Sequence, residues 1–185
     1  GLVFIKSQVM GELFRLNPCK EVYEIIKNDL FDLTHTITLA EDGRVLNDQE
    51  FLVEAIHRDP SCGNLYFWLA ELLSSEEEKE IQLKDGRVMN LSQLLTESLR
   101  LDPSLLKGDV ILSLFLKGKI SSITLHDGRV LDHLQLFVER IRCFPQNWEN
   151  YQQLFKSLKF REEPFLFHDG RMITANQLFV ETFFL

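Results

Sequence analysis

The sequence lacks any run of about 18 apolar residues, so no segment of it reads as a membrane-spanning helix. No signal-peptide pattern is visible at its start, although that start is Gly1 rather than Met. Cysteine is scarce: Cys19, Cys62 and Cys143 are scattered and odd in number. That usage predicts no disulfide framework and points to reduced thiols in a reducing, cytoplasmic setting. Positive charge is in deficit, with 20 Lys and Arg against 28 Asp and Glu and a net charge of −8. An acidic balance argues against nucleic acid and against anionic membrane surfaces as partners. Aromatic residues are not scarce. With 15 Phe and 45% apolar residues, the chain is not composed like a disordered one.

The few glycines and prolines fall at regular places. Asp-Gly-Arg occurs at Asp42-Gly43-Arg44, Asp85-Gly86-Arg87, Asp127-Gly128-Arg129 and Asp169-Gly170-Arg171, in steps of 43, 42 and 42 residues. Pro60, Pro103 and Pro145 each follow their glycine by 17 residues, and Pro18 follows Gly1 by the same interval. Two residues after the glycine stands Val3, Val45, Val88, Val130 or Met172. Eleven residues after it the chain always has Glu: Glu12, Glu54, Glu97, Glu139 and Glu181. The chain therefore reads as one repeat domain over residues 1–185, with units at about 1–42, 43–85, 86–127 and 128–169 and a partial unit at 170–185. Both ends fall inside a unit, which predicts a fragment, or the ordered core, of a longer solenoid.

Each unit carries two periodicities. After Gly43, Asn47 or Asp48 can cap a helix whose apolar residues Phe51, Leu52, Ala55 and Ile56 share a face. Pro60 is expected to end that helix and to stand early in a second one, which holds Leu65 to Leu73. The period then shortens to two. Ile81, Leu83 and Val88 flank Lys84-Asp85-Gly86, and the other triplets are flanked alike. An Asp-Gly pair between short alternating apolar runs predicts a β-hairpin, because Gly accepts positive φ and Asp tolerates it. Gly108 and Gly118 predict a looser second helix in the third unit. The expected fold is mostly α, an α-solenoid of stacked helix-helix-hairpin repeats, since a lone unit cannot bury its own apolar face.

Glu54-Ala55-Ile56-His57-Arg58-Asp59-Pro60, followed by Leu65-Tyr66-Phe67-Trp68-Leu69-Ala70, resembles the junction between the helices of tetratricopeptide repeats. Glu97 to Pro103 looks like the same junction, and Trp148 and Tyr151 resemble its aromatic positions. The unit departs from that family in length, 42–43 residues against 34, and the Asp-Gly-Arg hairpin accounts for the excess. The resemblance implies a tetratricopeptide-like scaffold that holds a protein or peptide.

No catalytic, cofactor-binding or metal-ligating set stands out. His35, His57, His126, His133 and His168 lack metal-ligand spacing. Asp-Gly-Arg lacks the glycines and lysine of a phosphate loop. Cys143 reads as apolar filler on a helix. The expected function is a non-enzymatic protein- or peptide-binding scaffold without a cofactor. The alternatives are a structural or self-assembling array and the repeat region of an enzyme whose catalytic domain lies elsewhere. Tyr66 and Tyr151 are candidate anchors for a partner where their rings point out of the stack. The apolar stretches Leu2 to Ile5 and Phe179 to Leu185 predict self-association through the ends. Arg44 with Glu54, Arg87 with Glu97, Arg129 with Glu139 and Arg171 with Glu181 are expected to pin each hairpin to the helix that follows it.

Overall fold

In the computed structural model, residues 36–38, 43–74, 80–107, 109–125, 127–158 and 163–181 are described. Most of the first unit of the sequence, residues 39–42 before Gly43 and the last residues lie outside them. The described residues are mostly helical, with short antiparallel hairpins, and none of their helices is long and apolar enough to cross a membrane. The chain divides into two compact units, with the boundary in the sequence between Leu105 and Leu106.

In the first, strands β1 (Thr36–Thr38) and β2 (Val45–Asn47) pair, with Ile37 opposite Leu46. Helices α1 (Asp48–Arg58) and α2 (Gly63–Leu73) follow. A second hairpin pairs β3 (Glu80–Gln82) with β4 (Val88–Asn90) and leads into α3 (Leu91–Leu101). In the second compact unit, α4 (Asp109–Leu116) precedes the hairpin of β5 (Ile123–Thr124) and β6 (Val130–Leu131). Helices α5 (His133–Cys143) and α6 (Trp148–Leu158) come next. The hairpin of β7 (Phe165–Leu166) and β8 (Met172–Ile173) and helix α7 (Ala175–Glu181) complete it. Every sheet among the described residues has two strands.

The passage from hairpin to helix is fixed locally. Asn47 accepts the N–H of Glu50, and the Glu50 carboxylate accepts the N–H of Asn47. Asn90 with Gln93 and Asp132 with Gln135 close the same reciprocal box. Thr174 and Gln177 exchange equivalent bonds. Each box satisfies two N–H groups that a helix start otherwise leaves open, so the helix begins within a residue of the strand's end.

The prolines take a different place from the one expected. Pro60 and Pro145 stand in the turns between helices, and α2 and α6 begin only at Gly63 and Trp148. Asp59 accounts for the delay: its carboxylate accepts the backbone N–H of Ser61 at 3.1 Å and its hydroxyl at 2.6 Å, a turn that competes with helix. In the third unit the second helix is broken into a 3-10 segment, Pro103–Lys107, and the short α4.

Helix α2 is apolar nearly all round because it is enclosed nearly all round. Gly63 to Ala70 are all buried, with α1 and α3 packed against the helix. Its approach to α3 depends on Gly63. A Cβ built there falls 2.7 Å from the Ser98 carbonyl oxygen and 3.1 Å from the Asp102 backbone nitrogen. Backbone on the far side cannot give way cheaply. Gly63→Ala is therefore expected to lower stability by about 1–3 kcal/mol in urea unfolding, despite the helix preference of alanine. Gly128→Ala is expected to cost about 1–2 kcal/mol for another reason: nothing crowds its Cβ, but its φ is 84°. A stabilised Gly63→Ala protein would show that the two helices are not held this close.

Candidate interaction surface

In the hairpins at Gly86, Gly128 and Gly170 the loop is built from the three residues that repeat. The Gly86 N–H donates to the Leu83 carbonyl at 3.0 Å, and the Leu83 N–H donates to the Arg87 carbonyl at 2.8 Å. Gly86 sits at φ 90°, where a side chain would be strained. This is the three-residue loop in which a left-handed glycine forms a bulge. Gly128 and Gly170 repeat it with the carbonyls of Leu125 and Phe167. The aspartate contributes its side chain. Asp85 accepts the backbone N–H of Arg87 on one oxygen at 3.0 Å and its Nε on the other at 2.7 Å. Asp127 holds Arg129 and Asp169 holds Arg171 in the same way. These contacts hold the Asp85 and Asp169 carboxyls below the usual range, the arginine backbone N–H being the main cause.

With Nε tied down, the two Nη atoms reach the neighbouring helices. Arg129 meets Glu139 with both prongs, at 2.8 and 3.0 Å. Arg142, one turn further on, contacts the same carboxylate. Burial pushes the Glu139 carboxyl up, but the bonds from Arg129 and Arg142 outweigh it and hold the value at about 2. Arg87 divides its prongs: one is 3.7 Å from Glu97 and the other donates to the Tyr66 hydroxyl at 3.0 Å. Glu97 is lowered chiefly by a two-pronged bond from Arg100. Arg44 lies 3.6 Å from Glu54, which also takes Arg58 at 3.0 Å and Lys84 of the following hairpin. Burial raises Glu54 and these bonds bring it down. The pairing of Arg171 with Glu181 lies outside the described side chains.

Tyr66 and Tyr151 are not surface anchors. Tyr66 is wholly buried and its hydroxyl donates to the Pro60 carbonyl at 3.3 Å, while Tyr151 is 6% exposed and packs near Phe167. Each lies on the inner side of a second helix, where the arginine of the next hairpin or an aromatic ring covers it. Cys143, expected as filler, is exposed at the end of α5. His57, His133 and His168 are exposed as well, and no group of three potential metal ligands occurs among the described residues. His35 and His126 lie outside them.

What the surface does present is apolar and periodic. Val45, Val88, Val130 and Met172, all at one position after the hairpin glycine, are 60%, 51%, 56% and 56% exposed. Their neighbours Leu46, Met89, Leu131 and Ile173 point inward and are buried. Alternation along each strand thus assigns an aliphatic side chain to the core and another to the surface. Two grooves run beside this column. One, of about 520 Å³, is lined by Arg44, Val45, Leu46, Gln49, Glu50 and Val53 on the hairpin and α1, and by residues of β3 across from them. The other, of about 620 Å³, is lined by Arg171, Met172, Ile173, Asn176, Gln177 and Val180. Counted from Gly43 and Gly170, these are the same six positions.

The two-pronged pair should dominate the electrostatics of stability. A double-mutant cycle on Arg129→Ala and Glu139→Ala is expected to give about 1–3 kcal/mol of coupling, less the share Arg142 retains. The Arg87 and Glu97 pair should give about 0–1 kcal/mol. Because the folded Glu139 value lies below the ordinary 4.5, its contribution is complete above that pH and is lost as pH falls towards about 2. Glu139→Gln should flatten the stability profile in that window, and a profile unchanged by the substitution would place the acid sensitivity elsewhere.

No family model, curated protein or solved structure matches the chain.

Proposed function

We propose that this chain is a non-enzymatic scaffold of tetratricopeptide-like repeats whose hairpin face binds a protein or peptide. The reading is carried by one observation: at a single position of the repeat, every described hairpin exposes more than half of an aliphatic side chain. An isolated exposed aliphatic residue is ordinary, whereas a recurring one beside grooves of matching lining is a surface kept for contact. The loop chemistry supports the same reading. Aspartate, glycine and arginine all have structural duties in the turn, which leaves the following residue to vary with use. Recognition would then be spread over several units.

The test is selection of ligands from a displayed peptide library against the whole chain. The selected ligands are then measured on a variant carrying Val45→Ser, Val88→Ser, Val130→Ser and Met172→Ser. All four side chains are exposed, so the variant should unfold within about 1 kcal/mol of the parent. Binding is expected to fall by about tenfold or more. Ligands that bind both proteins equally would remove the hairpin face from recognition.

A further inference from the structure

The two grooves share six lining positions, and five of those have a duty in the fold or the same apolar character in both. Arg44 and Arg171 lie against Glu54 and Asp169. Leu46 and Ile173 point into the core. Glu50 and Gln177 accept the backbone N–H of the residue that caps each helix. Val45 and Val53 in one groove match Met172 and Val180 in the other. The sixth position falls six residues after the hairpin glycine and holds Gln49 or Asn176. Gln49 is half-buried and Asn176 is exposed, and neither amide is spent on a hydrogen bond among the described residues.

The same position differs in the other two repeats. Ser92 is half-buried and engaged within the fold. Leu134 is half-buried, and it follows Val130 of β6 and precedes Val138 of α5. Residues four apart on a helix are surface neighbours, so Gln49 adjoins Val53, Leu134 adjoins Val138 and Asn176 adjoins Val180. Three corners of hairpin and helix thus set one side chain of changing chemistry in a frame that stays apolar. It is an amide in the first and the fourth, and an aliphatic group in the third.

Resting on the reading of the hairpin face as a binding surface, we propose that Gln49, Leu134 and Asn176 determine what their corners accept: a carboxamide side chain of the bound peptide at Gln49 and at Asn176, and an aliphatic one at Leu134. A carboxamide both donates and accepts, so two of them close a reciprocal pair of hydrogen bonds. The apolar neighbours fit the methylene stem of a Gln or Asn ligand side chain, and a drier setting strengthens the pair. A carboxylate or an ammonium would match only half of the protein amide and would lose hydration beside Val45 and Val53. Leu134 offers no polar partner, so an amide buried against it is left unpaired while a methyl group is not. The corners share one frame and differ in which group they leave unpaired, which is a source of specificity.

The experiment selects linear peptides from a displayed random library on the whole chain. Single ligands are then titrated calorimetrically on Gln49→Leu, Asn176→Leu and Leu134→Gln, with urea unfolding as the check on each fold. Gln49→Leu and Asn176→Leu are each expected to weaken ligands about tenfold, and a change of one Gln or Asn of the ligand to Leu is expected to restore binding on the variant. Leu134→Gln is expected to be restored by the converse change in the ligand. Restoration through the ligand cannot arise from a damaged fold. A loss that no ligand change restores would overturn the assignment. So would ligands that bind all three variants unchanged yet lose affinity on the variant with four serines, and the hairpin face would then stand as the binding surface. Ligands that bind the four-serine variant as well as the parent, or a library that yields no ligand, would overturn both readings.

Discussion

The tie between an aspartate and the arginine two residues later governs much of this structure. A glycine at positive φ lets the chain reverse within three residues, and the aspartate then grips both the backbone N–H and the Nε of the arginine. A guanidinium held by Nε has only its Nη edge left to offer. That edge is aimed across the start of the following helix, where a glutamate stands two turns in. The long side chain thereby loses freedom before it meets its partner, so less entropy is lost in forming the second contact. The reciprocal cap at the helix start fixes the other element of the pair, and hairpin and helix become one rigid corner.

The glutamate in that corner is short of water and must be compensated. The three described cases solve this differently. Glu139 has a two-pronged arginine from its own hairpin, Glu97 relies on Arg100 of its own helix, and Glu54 draws on Lys84 from the following hairpin. The difference traces to Tyr66, whose hydroxyl takes one prong of Arg87 and draws it off Glu97. Lys84 and Arg87 thus link the second hairpin to the helices before it by two separate contacts. Because each glutamate has more than one cation, loss of a single partner does not strand its charge, which limits the cost of sequence drift within the repeat.

The same corner explains why the surface is apolar where it is. The residue after the arginine must lie in the first strand position, and its neighbour must enter the core. Strand alternation then turns the first one outward whatever its chemistry. A β-branched residue suits the strand, but a threonine would suit it too. The aliphatic choice at Val45, Val88 and Val130 is not demanded by the fold, and this excess is the observation on which the proposal of a contact surface rests.

Much of this was legible in the sequence because its causes are local. The period, the hairpin at each Asp-Gly-Arg and the spacing of the arginine and glutamate columns need only glycine's backbone freedom, side-chain alternation and helix geometry. The capping boxes are spelled in the sequence too, as Asn47 and Glu50, Asn90 and Gln93, Asp132 and Gln135, Thr174 and Gln177. The tertiary structure alone decided matters that depend on which face meets which. It enclosed α2 on several sides, so that Tyr66 became a buried hydrogen-bond donor rather than an anchor. It set Gly63 against the Ser98 carbonyl, a contact between residues far apart in the chain. It left Val45, Val88, Val130 and Met172 in water, an outcome that their hydrophobicity alone does not announce. A sequence states that a residue is apolar; only packing decides whether there is anything for it to pack against.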